Sequence, residues 1–294
     1  MIIDPRVVKL STRTEVDIKR SIPHAHLRRI GAWVFLDHFG PTKQVDGMVV
    51  AAHPHTGLQT VTWPFAGRID HRDSIGSEQL INPGQLNLMT AGRGIAHSEQ
   101  SLVGPDELHA VQLWLALPEA KRHMAPSFQH VDAPPKVSIG ALEATVFIGE
   151  FPGVKSPAVV YSPLVGAEVR LTGTQAVPLN PSWEHGVLVV SGELSVNGEA
   201  VAPDQLYFLP AGATEMVLEG SDFHGVLIGG EPFGEEIVMW WNFIGRSHDE
   251  IVAMRALWND QDSGDAQLAY PQFDDALGGW ISAPELPNVT LRTR

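Results

Sequence analysis

The chain has 294 residues, no cysteine, 13 histidines and a formal net charge of −14. Without cysteine there can be no disulfide, thiol nucleophile, thiolate metal site or iron–sulfur cluster. Any metal must be held by imidazole and carboxylate, a donor set that suits iron, zinc, nickel, manganese or copper(II). The acidity argues against nucleic acid or an anionic membrane as partner, because both need a positive surface. Hydrophobic residues make up 44% of the chain and mean hydropathy is −0.02, as in a soluble globular protein. The length fits one large or two medium domains. With 28 glycines and 22 prolines but no collagen period, the sequence predicts many turns between short strands.

The N-terminal stretch MIIDPRVVKLSTRTEVDIKR lacks the apolar core of a signal peptide. Apolar runs such as EIVMWWNFIG fall well short of the ~18 residues of a membrane span. A cytoplasmic protein is expected. His24-Ala25-His26 stands beside two arginines with no other ligand-rich motif nearby, and it reads as a surface or structural pair. Chance alone supplies roughly half of one such HxH pattern at this composition.

His53-Pro54-His55 has a different setting. It opens a strand–turn–strand unit, TGLQTVTWPFAGRI. In a strand, residues i and i+2 share a face, so both imidazoles can meet one ion. Pro54 fits an edge strand or the start of one. HRDSIGS, from 71 to 77, reads as a hairpin loop. After the turn TAGRG comes His97-Ser98-Glu99 with the same i, i+2 spacing. If both segments are extended, they offer three imidazoles and one carboxylate, leaving open positions on a six-coordinate metal. On spacing alone, polar residues at strand ends remain the alternative. GRGIAH at 92–97 lacks the third glycine and following helix of a dinucleotide loop, and no GxSxG, HExxH or P-loop is present.

The second half repeats the first. NPGQLNLMTAG (82–92) aligns with APDQLYFLPAG (202–212) at a constant offset of 120, and HGVLVVSGELSV has the form of the earlier strand–turn–strand unit. This predicts an internally repeated all-β domain. The Pro-containing stretch HVDAPPKVSIGALEA supplies a connector near 131–138, dividing the chain into 1–134 and 135–294. Charge divides too: residues 1–147 carry 14 basic and 14 acidic side chains, residues 148–294 carry 6 and 20. The offset places Val217 at the His97 position and no HxH lies near 180, so the second domain is expected to be metal-free, with His185 structural. A helix is predicted from Ser247 with Glu250 as its capping-box partner, and a shorter one near 262–269. The eight tryptophans read as core aromatics, with Trp63 a candidate to line the pocket.

HPHTGLQTVTWPFAGRIDHRDSIGS followed by MTAGRGIAHSE resembles the signature of the pirin family, a bicupin branch of the cupin superfamily. FLDHFGP, AVQLWLALP and EPFGEEIVMWWNFIGRSHDEI fit it as well, so the resemblance spans nearly the whole chain. It implies an all-β fold of two tandem jelly-roll-like cupin β-barrels with a few short helices, one near the C-terminus. It also implies one divalent transition metal on His53, His55, His97 and Glu99, with iron(II) first and zinc, nickel, manganese or copper as alternatives. Two functions follow from it. One is a non-haem iron dioxygenase opening flavonol-like, quercetin-type substrates with O2, in which Glu99 doubles as a base. The other is a non-enzymatic, iron-dependent, redox-sensing protein whose acidic second half docks a basic protein partner. A cupin isomerase is a third, weaker reading. A monomer is expected. The sequence departs from the common family pattern HPHRGFETVTY at Thr56, Gln59 and Trp63. Gln59 stands where many metal cupins place a further carboxylate, and an amide there can neither balance charge nor act as a base.

Overall fold

The computed structural model describes residues 1–9, 17–42, 48–102, 107–260, 263–273 and 279–293. Nearly all the regular structure is antiparallel strand, as the repeated strand–turn pattern predicts. The first half builds two sheets. A seven-stranded sheet runs Ser127–Val131, Leu86–Thr90, Leu58–Ala66, Leu108–Ala116, Trp33–Thr42, Asp17–Ile22, Arg6–Lys9. A four-stranded sheet runs Val49–His55, Ile95–Ser101, Ile69–Asp73, Glu78–Ile81. The second half, with Ile2–Ile3 at one edge, forms a nine-stranded sheet around the long strands Leu164–Pro178, Glu184–Val196 and Glu215–Gly230. These are two jelly-roll-like cupin units; in the first, hydrogen bonding runs as two facing sheets rather than one closed ring.

The repeat is visible in atomic detail. Gln85 Oε1 accepts from Asn82 N at 2.9 Å, and Gln205 Oε1 accepts from Ala202 N at 2.8 Å. The same glutamine therefore closes the same turn before the equivalent strands Leu86–Thr90 and Leu206–Leu209. At the position the offset pairs with His97, Val217 is 36% exposed. Its neighbours Met216 and Leu218 point inward and join Val177 in an apolar core. Hydrocarbon fills the second unit where the first carries polar side chains.

Alternation sets the packing between the units. Along Leu58–Ala66, Val61 and Trp63 face the second half, while Thr60 and Thr62 lie on the opposite face. Val61, Trp63, Trp33 and Leu36 join Phe147, Ile148, Leu188 and Ile228 in one shared core. Each such buried side chain contributes about 1.5–3 kcal/mol. Trp63 is therefore a core residue, not a pocket wall. Its ring stacks on Phe147 at 4.8 Å and its Nε1–H donates to Glu168 Oε2 at 2.9 Å.

Both termini cross to the other unit. Ile2–Ile3 pairs with Leu206–Leu209 in the second sheet. The C-terminal segment returns over the first unit: Ile281 N donates to Ala52 O at 2.8 Å, and Ile244 N donates to Thr56 O at 3.1 Å. Helices form at His248–Asn259 and Gly264–Ala269; position 262 of the second predicted helix lies outside the described residues. Ser247 caps the first helix as expected, accepting from Glu250 N at 3.2 Å. The reciprocal half of the capping box is absent. Glu250 instead accepts from Arg246 N and forms a bidentate pair with Arg122, tying the helix to the first unit. No described helix is long and apolar enough to cross a membrane.

Candidate metal centre

Val49–His55 and Ile95–Ser101 pair antiparallel with His97 opposite His53. A register shift between His97 and Glu99 turns the strand at the site. The i, i+2 pairs thus come from adjacent strands and converge. Ring centroids of His53 and His97 lie 4.4 Å apart, and His55 lies 5.0 Å from each. His53, His55 and His97 bring donor atoms within 4.8 Å of one another. Glu99 forms a second such group with His97 and His71. All four expected residues are buried on the inner side of the first unit.

His71 and Asp73 were read from sequence as part of a hairpin turn, and their place is different. They end the strand Ile69–Asp73, which pairs with Ile95–Ser101 so that Asp73 is opposite His97. His71 Nδ1 lies 3.3 Å from His97 Nδ1, and His71 Nε2 lies 3.2 Å from Asp73 Oδ2. Asp73 Oδ1 accepts from Ile75 N and Ser77 N at 3.0 and 2.9 Å. A self-consistent proton assignment follows. His71 donates Nε2–H to Asp73 and accepts Nδ1–H from His97, which leaves His97 Nε2 a bare lone pair. His53 donates Nδ1–H to Ala51 O at 2.9 Å and leaves its own Nε2 free. His97 Nε2 then faces His55 Nε2 at 3.1 Å.

The electrostatics favour neutral imidazoles. Burial pushes His53 down to about 4. Burial, with neighbouring imidazoles adding, holds His55 and His97 well below their ordinary value. Burial raises the Glu99 carboxyl, partly offset by His71 and by a hydrogen bond from Thr62 Oγ1 at 3.1 Å. Neutral imidazole nitrogens with lone pairs aimed inward, beside one carboxylate, are the donor chemistry of a divalent transition-metal site. His71 and Asp73 have the arrangement that orients a ligating histidine.

The other singled-out residues fall elsewhere. His24 and His26 lie near the surface, as expected. Gln59 faces away from the cavity, donating to Thr90 Oγ1 and Val159 O, so its amide neither replaces a ligand nor faces the centre. Thr56 is buried and donates to Met254 Sδ on the helix His248–Asn259. His185 is buried at the start of its strand, and burial lowers it to about 4. The centre opens into a cavity of about 270 Å³, lined also by Arg20, Phe35, Asp37, Gln112, Trp114 and Trp241.

Comparison with known proteins places this geometry. The Pirin family matches residues 15–115, and the pirin C-terminal cupin domain matches residues 166–264. A Pseudomonas aeruginosa protein with the provisional name quercetin 2,3-dioxygenase is 42% identical over 277 residues, covering 92% of this chain and 86% of that one. A pirin-like protein of Caulobacter vibrioides is 36% identical over 285 residues, covering 92% and 94%. The crystal structure of a quercetin 2,3-dioxygenase from Acinetobacter baumannii superposes with a TM-score of 0.93 at 40% identity, covering 100% of this chain and 97% of that one.

Proposed function

This chain belongs to the pirin family, and on that premise we propose that it is a mononuclear non-haem iron dioxygenase acting on flavonol-like, quercetin-type substrates with O2. His53, His55, His97 and Glu99 are the ligands, carried by a unit spanning 1–134; the unit spanning 135–294 is metal-free. The observation that carries the reading is the convergence of His53, His55 and His97 within 4.8 Å of one another at the end of a cavity. The relatives' names support the substrate class.

Bound there, iron(II) supplies Lewis acidity and one-electron chemistry toward O2. The chain's own residues do the rest. His53 and His97 keep their Nε2 lone pairs inward because Ala51 O and His71 take their Nδ1 protons. Glu99, raised by burial, is a stronger base than a surface glutamate and takes the proton of the substrate hydroxyl on its carboxylate. Thr62 Oγ1–H donates to Glu99 Oε1 and holds that carboxylate against the cavity wall. Phe35, Trp114 and Trp241 surround the reacting ring with hydrocarbon and exclude bulk water. The test is aerobic incubation of the iron-loaded chain with quercetin, which should consume O2 and release CO in equal amounts. A folded, iron-loaded chain that turns over no flavonol would refute it.

A further inference from the structure

Four strands of the seven-stranded sheet lie side by side beneath the cavity. Their register sets Arg20 opposite Asp37, Asp37 opposite Gln112 and Gln112 opposite Thr62. Residues directly opposed across strands share a face, so these four form one polar row. At one end Thr62 Oγ1 lies 3.1 Å from both Gln112 Oε1 and Glu99 Oε1. At the other end Arg20 Nε and Nη2 each hold one Asp37 oxygen at 2.7 Å.

An aromatic column runs beside that row. The Arg20 guanidinium lies 4.3 Å over the Phe35 ring, Phe35 stacks on Trp114 at 3.9 Å, and Trp114 meets the His55 ring at 5.1 Å. Arg20 and Trp114 cover both faces of the Phe35 ring, so Phe35 presents its edge to the cavity. Ring edges are electropositive and attract the π-face of a planar ligand. The column therefore leads from the imidazole cluster to a guanidinium.

That guanidinium is fixed yet not saturated. Asp37 is buried, with 5% of its side chain exposed, and it occupies two of the three Arg20 nitrogens. Among the described residues Nη1 makes no hydrogen bond, and the Arg20 side chain stays 27% exposed. Lys9 lines the same cavity. A preorganised Arg nitrogen is a donor for a carboxylate.

We propose that the cavity selects a planar aromatic acid, with ring hydroxyls toward His53, His55 and His97 and its carboxylate on Arg20 Nη1. This rests on the metal-centre reading above and gives the same site a second substrate class, a hydroxylated ring bearing an acid, beside the flavonols. The dimensions agree. A cavity of about 270 Å³ accommodates a ligand of one or two rings.

The test compares protocatechuate with its methyl ester, which keeps the ring and hydroxyls but loses the anion. Calorimetry on the full chain measures both probes, with and without zinc. The acid should bind at least tenfold more tightly than the ester. A double variant, Arg20→Met with Asp37→Asn, removes the guanidinium without stranding a buried carboxylate. It should bring the acid-to-ester ratio close to one, and Arg20→Lys should restore part of the preference. Equal binding of acid and ester by wild type, an unchanged ratio in the double variant, or no binding of either probe would each overturn the proposal. The zinc dependence of both probes is read separately. Its absence counts against the metal centre, while the ratio on the metal-free chain still decides the carboxylate site.

Discussion

Replacing His71 by leucine removes the acceptor that faces His97 Nδ1 at 3.3 Å, and leaves the rest of the hairpin in place. Asp73 keeps its bonds from Ile75 N and Ser77 N, so the turn that carries it is still closed. The His97 ring lies in a fully buried position, 1% exposed, where no water replaces the lost partner. A buried donor left unsatisfied costs about 1–3 kcal/mol. The metal-free ring escapes that cost by carrying its proton on Nε2, which faces His55 Nε2 at 3.1 Å, so the cost falls on the metal-bound form; at 1.4 kcal/mol per tenfold it is roughly a 5- to 150-fold loss of metal affinity. Outer partners of ligating histidines commonly matter by about 10- to 100-fold. Zinc is the appropriate probe because it has no redox chemistry, and competition with a chelator of known affinity reads the change. His71→Gln keeps an acceptor oxygen and should recover a large part of the loss. If His71→Leu folds normally and binds zinc within about twofold of wild type, the orienting role assigned to His71 is wrong.

Three further outcomes are expected. Trp63→Phe removes the donor to Glu168 Oε2 but keeps a ring against Phe147, and should destabilise the chain by about 1–3 kcal/mol in urea denaturation; an unchanged midpoint would contradict it. The metal-free chain should lose stability on acidification. Above the ordinary histidine value His53 is neutral folded and unfolded and contributes nothing. Below 6.5 the unfolded chain takes a proton that the folded one refuses until about 4. Stability therefore falls across that window, by up to about 3 kcal/mol from this group, and His53→Leu should flatten the fall. Ser247→Ala removes the cap on Glu250 N and should cost about 1 kcal/mol by the same denaturation assay; no shift would mean that the tie from Arg122 to Glu250 alone fixes the helix.

The residues at the centre were legible because i, i+2 spacing in a strand has one geometric meaning. That rule pairs His53 with His55 and His97 with Glu99; on spacing alone strand-end polar residues remained the alternative, and the pairing of the two strands is what brings the pairs together. His71 and Asp73 have the same spacing, but they sit where glycine and serine mark a turn, and Asp73 ends its strand there. Their partner, His97, is 26 residues away, and only the pairing register of the three strands brings them together. Gln59 and Trp63 misled for a related reason. Both stand on the face of Leu58–Ala66 turned toward the second unit, and sequence shows that faces alternate without showing which one is inside. The crossing of the termini was out of reach. Ile2–Ile3 is too short to announce a strand, and the helix and tryptophans of the C-terminal segment read as core elements without showing that they cover the first unit.

Metal content of the purified chain tests the central claim most directly. Wild type, loaded anaerobically with iron(II) and desalted, should hold about one ion per chain, and His97→Ala should hold almost none while keeping its fold. A wild-type chain that retains no metal after loading, or a His97→Ala variant that retains as much as wild type, would contradict the account.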